Sequence, residues 1–305
     1  MGEEKEEQET TKIVIFQTCK TKDRTKWSVV QEYCVDSWIH QHPNLKHVLW
    51  DDVDNLNFVQ VKFPWLEEFY SGLPAGIYRA DIIRVLYCFA HAAVYADVDV
   101  ECLVDVLQWI SNSEKDAKII IGRQAQQQPS AKYKYLPNAV LISKTNGHVF
   151  WIYVLAEMYL RISQWWTCLP KDRTPSTSSP EWLTGPVMLH SAYQKFCNLS
   201  DNNDLDSILK LVLVWMRPQW FTSFPHLFSV NLSKAKVEQV YLAEPNIFYS
   251  VDWMSSDGHA QCQALKKCIT IKEILELKLE LEHKNKNTQK ETDGRIAIHW
   301  WQHSW

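Results

Sequence analysis

Two carboxylates, Asp97 and Asp99, close a short apolar run, Ala93-Val94-Tyr95-Ala96. Residues two apart on an extended segment point the same way, with Cα atoms roughly 6.5 Å apart. Carboxylates so placed can share one hard divalent cation, directly or through water. A metal-bound diphosphate is the most economical ligand for such a pair, because the metal bridges carboxylate and phosphate charge. Asp-x-Asp also occurs at Asp52-Val53-Asp54 and Asp204-Leu205-Asp206, so the pattern alone does not mark a site. A solvated acidic pair at a strand end is the ordinary alternative. Just upstream, Asp81 and Arg84 are three apart and share a helical face. They form either a structural ion pair or a fork able to hold phosphate or hydroxyl groups.

The elements that must position these groups follow from periodicity. Ile82, Ile83, Val85, Leu86, Phe89 and Ala90 recur at helical spacing, so Gly76 onward reads as a helix with one buried face, running into a strand over 93–96. Lys12 to Gln17 is uniformly apolar enough to be a buried strand. Lys26 to His40 carries a helical stripe of Trp27, Val30, Cys34 and Trp38. Leu45 to Trp50 is a second strand, and the Asp51-Asp52 that follows it suits a helix cap better than a nucleotide contact. Asn57 to Tyr70 makes one or two short helices. Glu101 to Ser111 reads as a helix over the sheet, and 119–122 and 137–143 as strands. Phe150 to Trp166 reads as an amphipathic helix, Thr184-Gly185-Pro186 opens another, and Ile271 to Lys286 is a charged helix solvated on one side. Lys171 to Pro180 is a loop. Residues 208–215 form a buried strand or helix that periodicity does not separate.

These patches resemble, in order, glycosyltransferase family 32, which includes mannosyl-, galactosyl- and N-acetylglucosaminyltransferases and is related to the core of clostridial glucosylating toxins. The resemblance rests on Arg79-Ala80-Asp81-x-x-Arg84 followed by Val94-Tyr95-x-Asp97-x-Asp99. It extends to Phe16-Gln17-Thr18-Cys19, Trp50-Asp51-Asp52, Pro137-Asn138, Thr184-Gly185-Pro186, Asn246 to Tyr249, and the ending His299-Trp300-Trp301-Gln302-His303-Ser304-Trp305. The sequence departs from the family at Phe16 (usually His), Cys19 (usually Trp), Ala92-Ala93 (usually Gly-Gly), Trp300 (usually His) and His303 (usually Gly). The resemblance implies a GT-A-type, Rossmann-like α/β fold, a mixed sheet flanked by helices, in one domain over 12–305 behind an acidic, disordered tail over 1–11. It implies that Asp97 contacts the donor ribose or sugar, that Asp99 ligates Mn²⁺ or Mg²⁺, and that His299 completes the metal shell. Asp81 and Arg84 would hydrogen-bond the transferred sugar, Tyr95 and Asn138 would line the donor, and Ser304 and Trp305 would cover the diphosphate. The catalytic set is then Asp81, Arg84, Asp97 and Asp99, in a retaining transfer of a hexose from a sugar nucleotide. Mannose is favoured, with galactose, glucose or N-acetylglucosamine possible, and a glycan or glycolipid accepts it. The alternatives are an inactive binding module, which the departures make plausible, and a nucleotide-sugar hydrolase.

Composition sets outer bounds. The chain has 305 residues, a formal charge of −4 and 46% hydrophobic residues, enough for a sizeable core and opposed to nucleic-acid binding. The 15 tryptophans exceed what most cores need, and such rings also stack on sugars and bases. Eight cysteines without a Cys-x-x-Cys pair lack zinc-site spacing and favour a reduced compartment. The Glu-rich start is unlike a signal peptide, and no apolar run reaches the ~18 residues that span a bilayer. The expected location is cytoplasmic or soluble as given, or the Golgi lumen for a trimmed, membrane-anchored form.

Overall fold

A computed structural model describes residues 12–113, 116–124, 135–167, 179–198, 239–244, 247–249, 256–287 and 295–300. Among these residues the strands are β1 Val14–Thr18, β2 His47–Trp50, β3 Ala93–Ala96, β4 Val100–Cys102, β5 Ile119–Gly122, β6 Val140–Ser143, β7 Val240–Ala243 and β8 Ala297–His299. The helices are α1 Val29–Gln41, α2 Asp52–Lys62, α3 Glu67–Ser71, α4 Gly76–Ala90, α5 Val106–Ser113, α6 Val149–Thr167, α7 Pro180–Leu183, α8 Pro186–Asn198, α9 Ser256–Lys266 and α10 Ile271–Asn287.

Six strands form one mixed sheet in the order β2-β1-β3-β6-β5-β7, and β4 and β8 form a separate antiparallel ribbon. β2, β1 and β3 run parallel, which brings the ends at Trp50, Thr18 and Ala96 to one edge, while β6 runs antiparallel to β3 and β5. The alternation of a strand divides the core. Phe16, Tyr95, Ile121 and Leu141 face α4, α6 and α8, whereas Ile15, Val94, Ile120 and Val140 face Trp38 of α1 and Val106 and Ile110 of α5. Burial on both faces is why these strands read as continuous apolar runs. The expected α/β plan, a mixed sheet flanked by helices, is therefore present.

Local chemistry sets several boundaries. Ser28 and Gln31 make a reciprocal capping box at the start of α1, and Asp51 accepts from Val53 and Asp54 at the start of α2, so the capping reading of Asp51 holds. α4 has eleven of its fifteen residues buried, Asp81 and Arg84 among them. On α10, Ile274 is buried while Ile271, Leu275 and Leu279 face outward, as a helix solvated on one side requires.

Two local expectations fail. Residues 100–102 are a strand, not the start of a helix, because Val100, Glu101 and Cys102 pair with His299, Ile298 and Ala297. The helix begins only at Val106, after Asp105 accepts from the Leu107 and Gln108 amides. Asp97 to Asp99 is also not extended. The Val100 amide donates to the Asp97 carbonyl at 3.0 Å, closing a turn between β3 and β4. Among the described residues no helix is long and apolar enough to cross a membrane. The expectations for 1–11, 171–178, 201–206, 208–215, Asn246, Ser304 and Trp305 lie outside the described residues.

Candidate functional site

The Asp97–Asp99 turn is fastened on every side. The Asp97 amide donates to the Ala139 carbonyl at 2.8 Å, and the Trp300 amide donates to the Asp99 carbonyl at 3.0 Å. Gln17, fully buried on β1, donates from Nε2 to the Asp97 carbonyl at 3.3 Å. Its Oε1 meets His47 Nε2 at 2.7 Å, which fixes the amide's orientation. Burial, with help from Arg24, lowers the His47 pKa to about 4, so the ring is neutral near pH 7 and donates to Gln17.

A second layer holds the Asp97 side chain. Its carboxylate accepts from the Tyr95 hydroxyl and pairs with Arg84 Nη1 at 3.2 Å. Arg84 itself is 2% exposed. Its Nε donates to the Ala80 carbonyl at 3.2 Å, Nη1 to the Asn138 carbonyl at 2.8 Å, and Nη2 pairs with Asp81 at 3.2 Å. The guanidinium lies 4.8 Å from the centre of the Tyr95 ring. Asp81 accepts from Asn138 Nδ2 at 2.8 Å and from the Thr184 hydroxyl at 2.6 Å. Burial pushes the carboxyls of Asp81 and Asp97 above their ordinary range, with Arg84 pulling each back, and Asp99 raises Asp97 further. For Arg84 the opposing carboxylates outweigh burial, so it stays charged.

His299 arrives from β8, opposite Val100 in the ribbon, and its Nε2 lies 3.3 Å from Asp99 Oδ1. One ligand atom each from Asp97, Asp99 and His299 lie within 4.8 Å of one another. Two carboxylate oxygens and an imidazole suit a hard or borderline divalent ion such as Mg²⁺ or Mn²⁺. The formal charge of the neighbourhood supports the fit: Asp81, Asp97 and Asp99 outnumber the guanidinium of Arg84, an excess that a divalent cation would balance.

The structure therefore brings Asp81, Arg84, Tyr95, Asp97, Asp99, Asn138 and His299 together. Tyr95 is fully enclosed, and what it offers the site is its hydroxyl's hold on Asp97. Gln17 and Thr184 were not anticipated as site residues, although both lie in segments that the family resemblance had covered. Three of the departures, Phe16, Cys19 and Trp300, are absorbed by packing, and His303 lies outside the described residues. Phe16 stacks on Tyr87 at 3.8 Å, Cys19 packs with Val35 and Val98, and Trp300 turns its indole to Glu101. The Cys19 thiol is pushed up to about 12 by burial, which leaves it unreactive.

Comparison with known proteins bears on the same residues. Residues 28–116 match the family model described as a glycosyltransferase sugar-binding region containing the DXD motif. This segment is thus similar to a DXD-type glycosyltransferase region. The chain is 31% identical over 90 residues to inositol phosphoceramide mannosyltransferase 2 of Schizosaccharomyces pombe, covering 29% of this chain and 25% of that protein. It is 32% identical over 90 residues to mannosyl phosphorylinositol ceramide synthase SUR1 of Saccharomyces cerevisiae, covering 29% and 22%. Over 81 residues it is 37% identical to the initiation-specific alpha-1,6-mannosyltransferase of Candida albicans, covering 26% and 21%. The chain thus spans a quarter or less of the length of these relatives. Among solved structures, the PaToxG glycosyltransferase is similar at 14% identity and a TM-score of 0.42, covering 75% of this chain and 84% of that one. The DXD region supplies Asp81, Arg84, Tyr95, Asp97 and Asp99; Gln17, Asn138, Thr184 and His299 come from outside it.

Proposed function

We propose that this chain is a metal-dependent, retaining glycosyltransferase that moves a hexose, mannose first among the candidates, from a sugar nucleotide to a glycan or glycolipid. The observation that carries this reading is the convergence of Asp97 and Asp99, in the segment matched as a DXD-type region, with His299 from outside it. The three mannosyltransferase-type relatives support the sugar.

Asp97, Asp99 and His299 would hold the divalent ion, which when bound supplies Lewis-acid stabilisation of the departing diphosphate. Asp99 ligates from a turn whose carbonyl is held by the Trp300 amide, so its carboxylate is preorganised. Asp97 is aimed by Tyr95 and Arg84, and its second role is to contact the donor ribose or sugar. Asp81 and Asn138 set the far side of that guanidinium and face the transferred sugar's hydroxyls with Arg84. Ser304 and Trp305 complete the reading by covering the diphosphate.

A panel of sugar nucleotides with Mn²⁺, read as released nucleoside diphosphate with and without acceptor, tests it. Release that needs both acceptor and metal is expected, and Asp99→Asn abolishes it while leaving the circular dichroism spectrum unchanged. Release without acceptor would make the chain a hydrolase. Metal-dependent donor binding without release would make it a binding module.

A further inference from the structure

His299 reaches the carboxylates on a strand of only three residues, paired with β4 and bridged at Ile298 by Tyr249. A ribbon so short has little stability of its own. Glu101, two residues beyond Asp99, is 2% exposed, and a buried carboxylate is costly unless paired and hydrogen-bonded. It is. Oε1 accepts from the Tyr33 hydroxyl of α1 at 2.8 Å and takes the Lys278 ammonium of α10. Oε2 accepts from the Trp300 indole at 3.2 Å. Lys278 also donates to the Tyr33 hydroxyl at 3.0 Å. Beneath these groups Val30 and Cys34 of α1, Ile274 of α10, Ile298 and Trp300 form one apolar cluster. One carboxylate therefore ties two helices and the end of β8 to the strand that leaves the Asp97–Asp99 turn.

We propose that Glu101 and Lys278 are positioning residues, a latch that seats Trp300 and thereby holds His299 at Asp97 and Asp99. Trp300 joins the two ends of the latch, because its side chain is held by Glu101 while its amide holds the Asp99 carbonyl. α10, otherwise a charged surface helix, becomes part of the support of the candidate metal centre. The inference rests on the metal reading of that centre only for its effect on affinity; the seating of β8 is a property of the protein without metal.

The test uses the full chain and three variants. Lys278→Met keeps the aliphatic stem and drops the charge. Trp300→Phe keeps a buried ring and drops the indole donor, and so serves if Lys278→Met folds poorly. His299→Ala removes the ligand. Hydrogen exchange of the metal-free protein, followed by mass spectrometry, should show faster exchange over 297–300 in Lys278→Met and Trp300→Phe, with 93–96 unchanged. Mn²⁺ affinity, by calorimetry, should fall about 10- to 100-fold in both, as loss of outer-layer partners does elsewhere. Placed on His299→Ala, Lys278→Met should weaken Mn²⁺ binding no further. Unchanged exchange over 297–300 overturns the latch, whatever happens to the metal. Faster exchange with Mn²⁺ affinity intact, or full additivity on His299→Ala, overturns its link to His299. Absence of Mn²⁺ binding in the unaltered protein overturns the metal reading and that link, while the exchange result still decides the latch.

Discussion

Arg84 touches two carboxylates and two carbonyls, and a single guanidinium pairs with both Asp81 and Asp97. A lysine carries the charge but cannot span four acceptors in a plane. Arg84→Lys therefore leaves at least one buried carboxylate unpaired and should cost roughly 2 kcal/mol or more in urea denaturation. Turnover should fall with it; unaltered stability and turnover would mean that the pair only occupies space. His47 gives a pH signature. The folded protein keeps this ring neutral down to about pH 4, whereas the unfolded chain takes up its proton below about 6.5. Its contribution is complete above pH 6.5 and drains as the pH falls toward 4, by roughly 2 kcal/mol between pH 7 and 5. Comparing urea midpoints at those two pH values, His47→Gln should lose less stability on acidification than the unaltered protein. Equal losses in both would show that other groups set the slope.

At the scale of elements, the ribbon and the main sheet meet through Tyr249. Its hydroxyl accepts the Val140 amide at 2.8 Å, its backbone bridges Ile298, and its ring stands edge-on to His299 at 6.0 Å. Gly122 in β5 leaves the room: a Cβ there would lie 2.4 Å from the Tyr249 ring and 2.9 Å from Phe248. Both rings are fully buried and cannot swing away. Gly122→Ala should cost about 1–3 kcal/mol by overpacking, and weaken Mn²⁺ binding by displacing the ring beside His299. Wild-type thermal stability in that variant would show that the rings have slack. The contrast between β5 and β4 also shows what the sequence makes legible. Ile119-Ile120-Ile121-Gly122 declares a buried strand by itself, as does Ala93 to Ala96. Val100-Glu101-Cys102 declares nothing, because its strand partner lies at the other end of the chain, Glu101 and Trp300 being 199 residues apart. A buried glutamate looks like a surface acid until Lys278 and Tyr33 stand over it. Asp97, Asp99 and His299 were legible through their motifs. Gln17 and Thr184 were not, since an amide and a hydroxyl acquire their roles only by touching Asp97 and Asp81.

The site belongs to the whole molecule. Gln17 comes from the first strand, Arg84 and Asp97 from the middle, Thr184 from between two later helices, and His299 from the last described strand. The DXD region alone lacks β1, the strand between β2 and β3, so its acids have no complete sheet to stand on. The ribbon strand β8 differs, because it lies outside the six-stranded sheet. Removing residues 295–305 should therefore leave most helix and strand signal in circular dichroism, with a cooperative but lower melting transition, since Glu101 loses the Trp300 donor and the apolar cluster loses Ile298. Mn²⁺ affinity and nucleoside diphosphate release should disappear together. His299→Ala in the full chain separates the two losses: it keeps Trp300 and Ile298, so the melting temperature should stay near that of the unaltered protein while Mn²⁺ affinity falls. A truncated chain that still binds Mn²⁺ as the intact one does would mean that β8 only covers the core, and that Asp97 and Asp99 hold the ion without it.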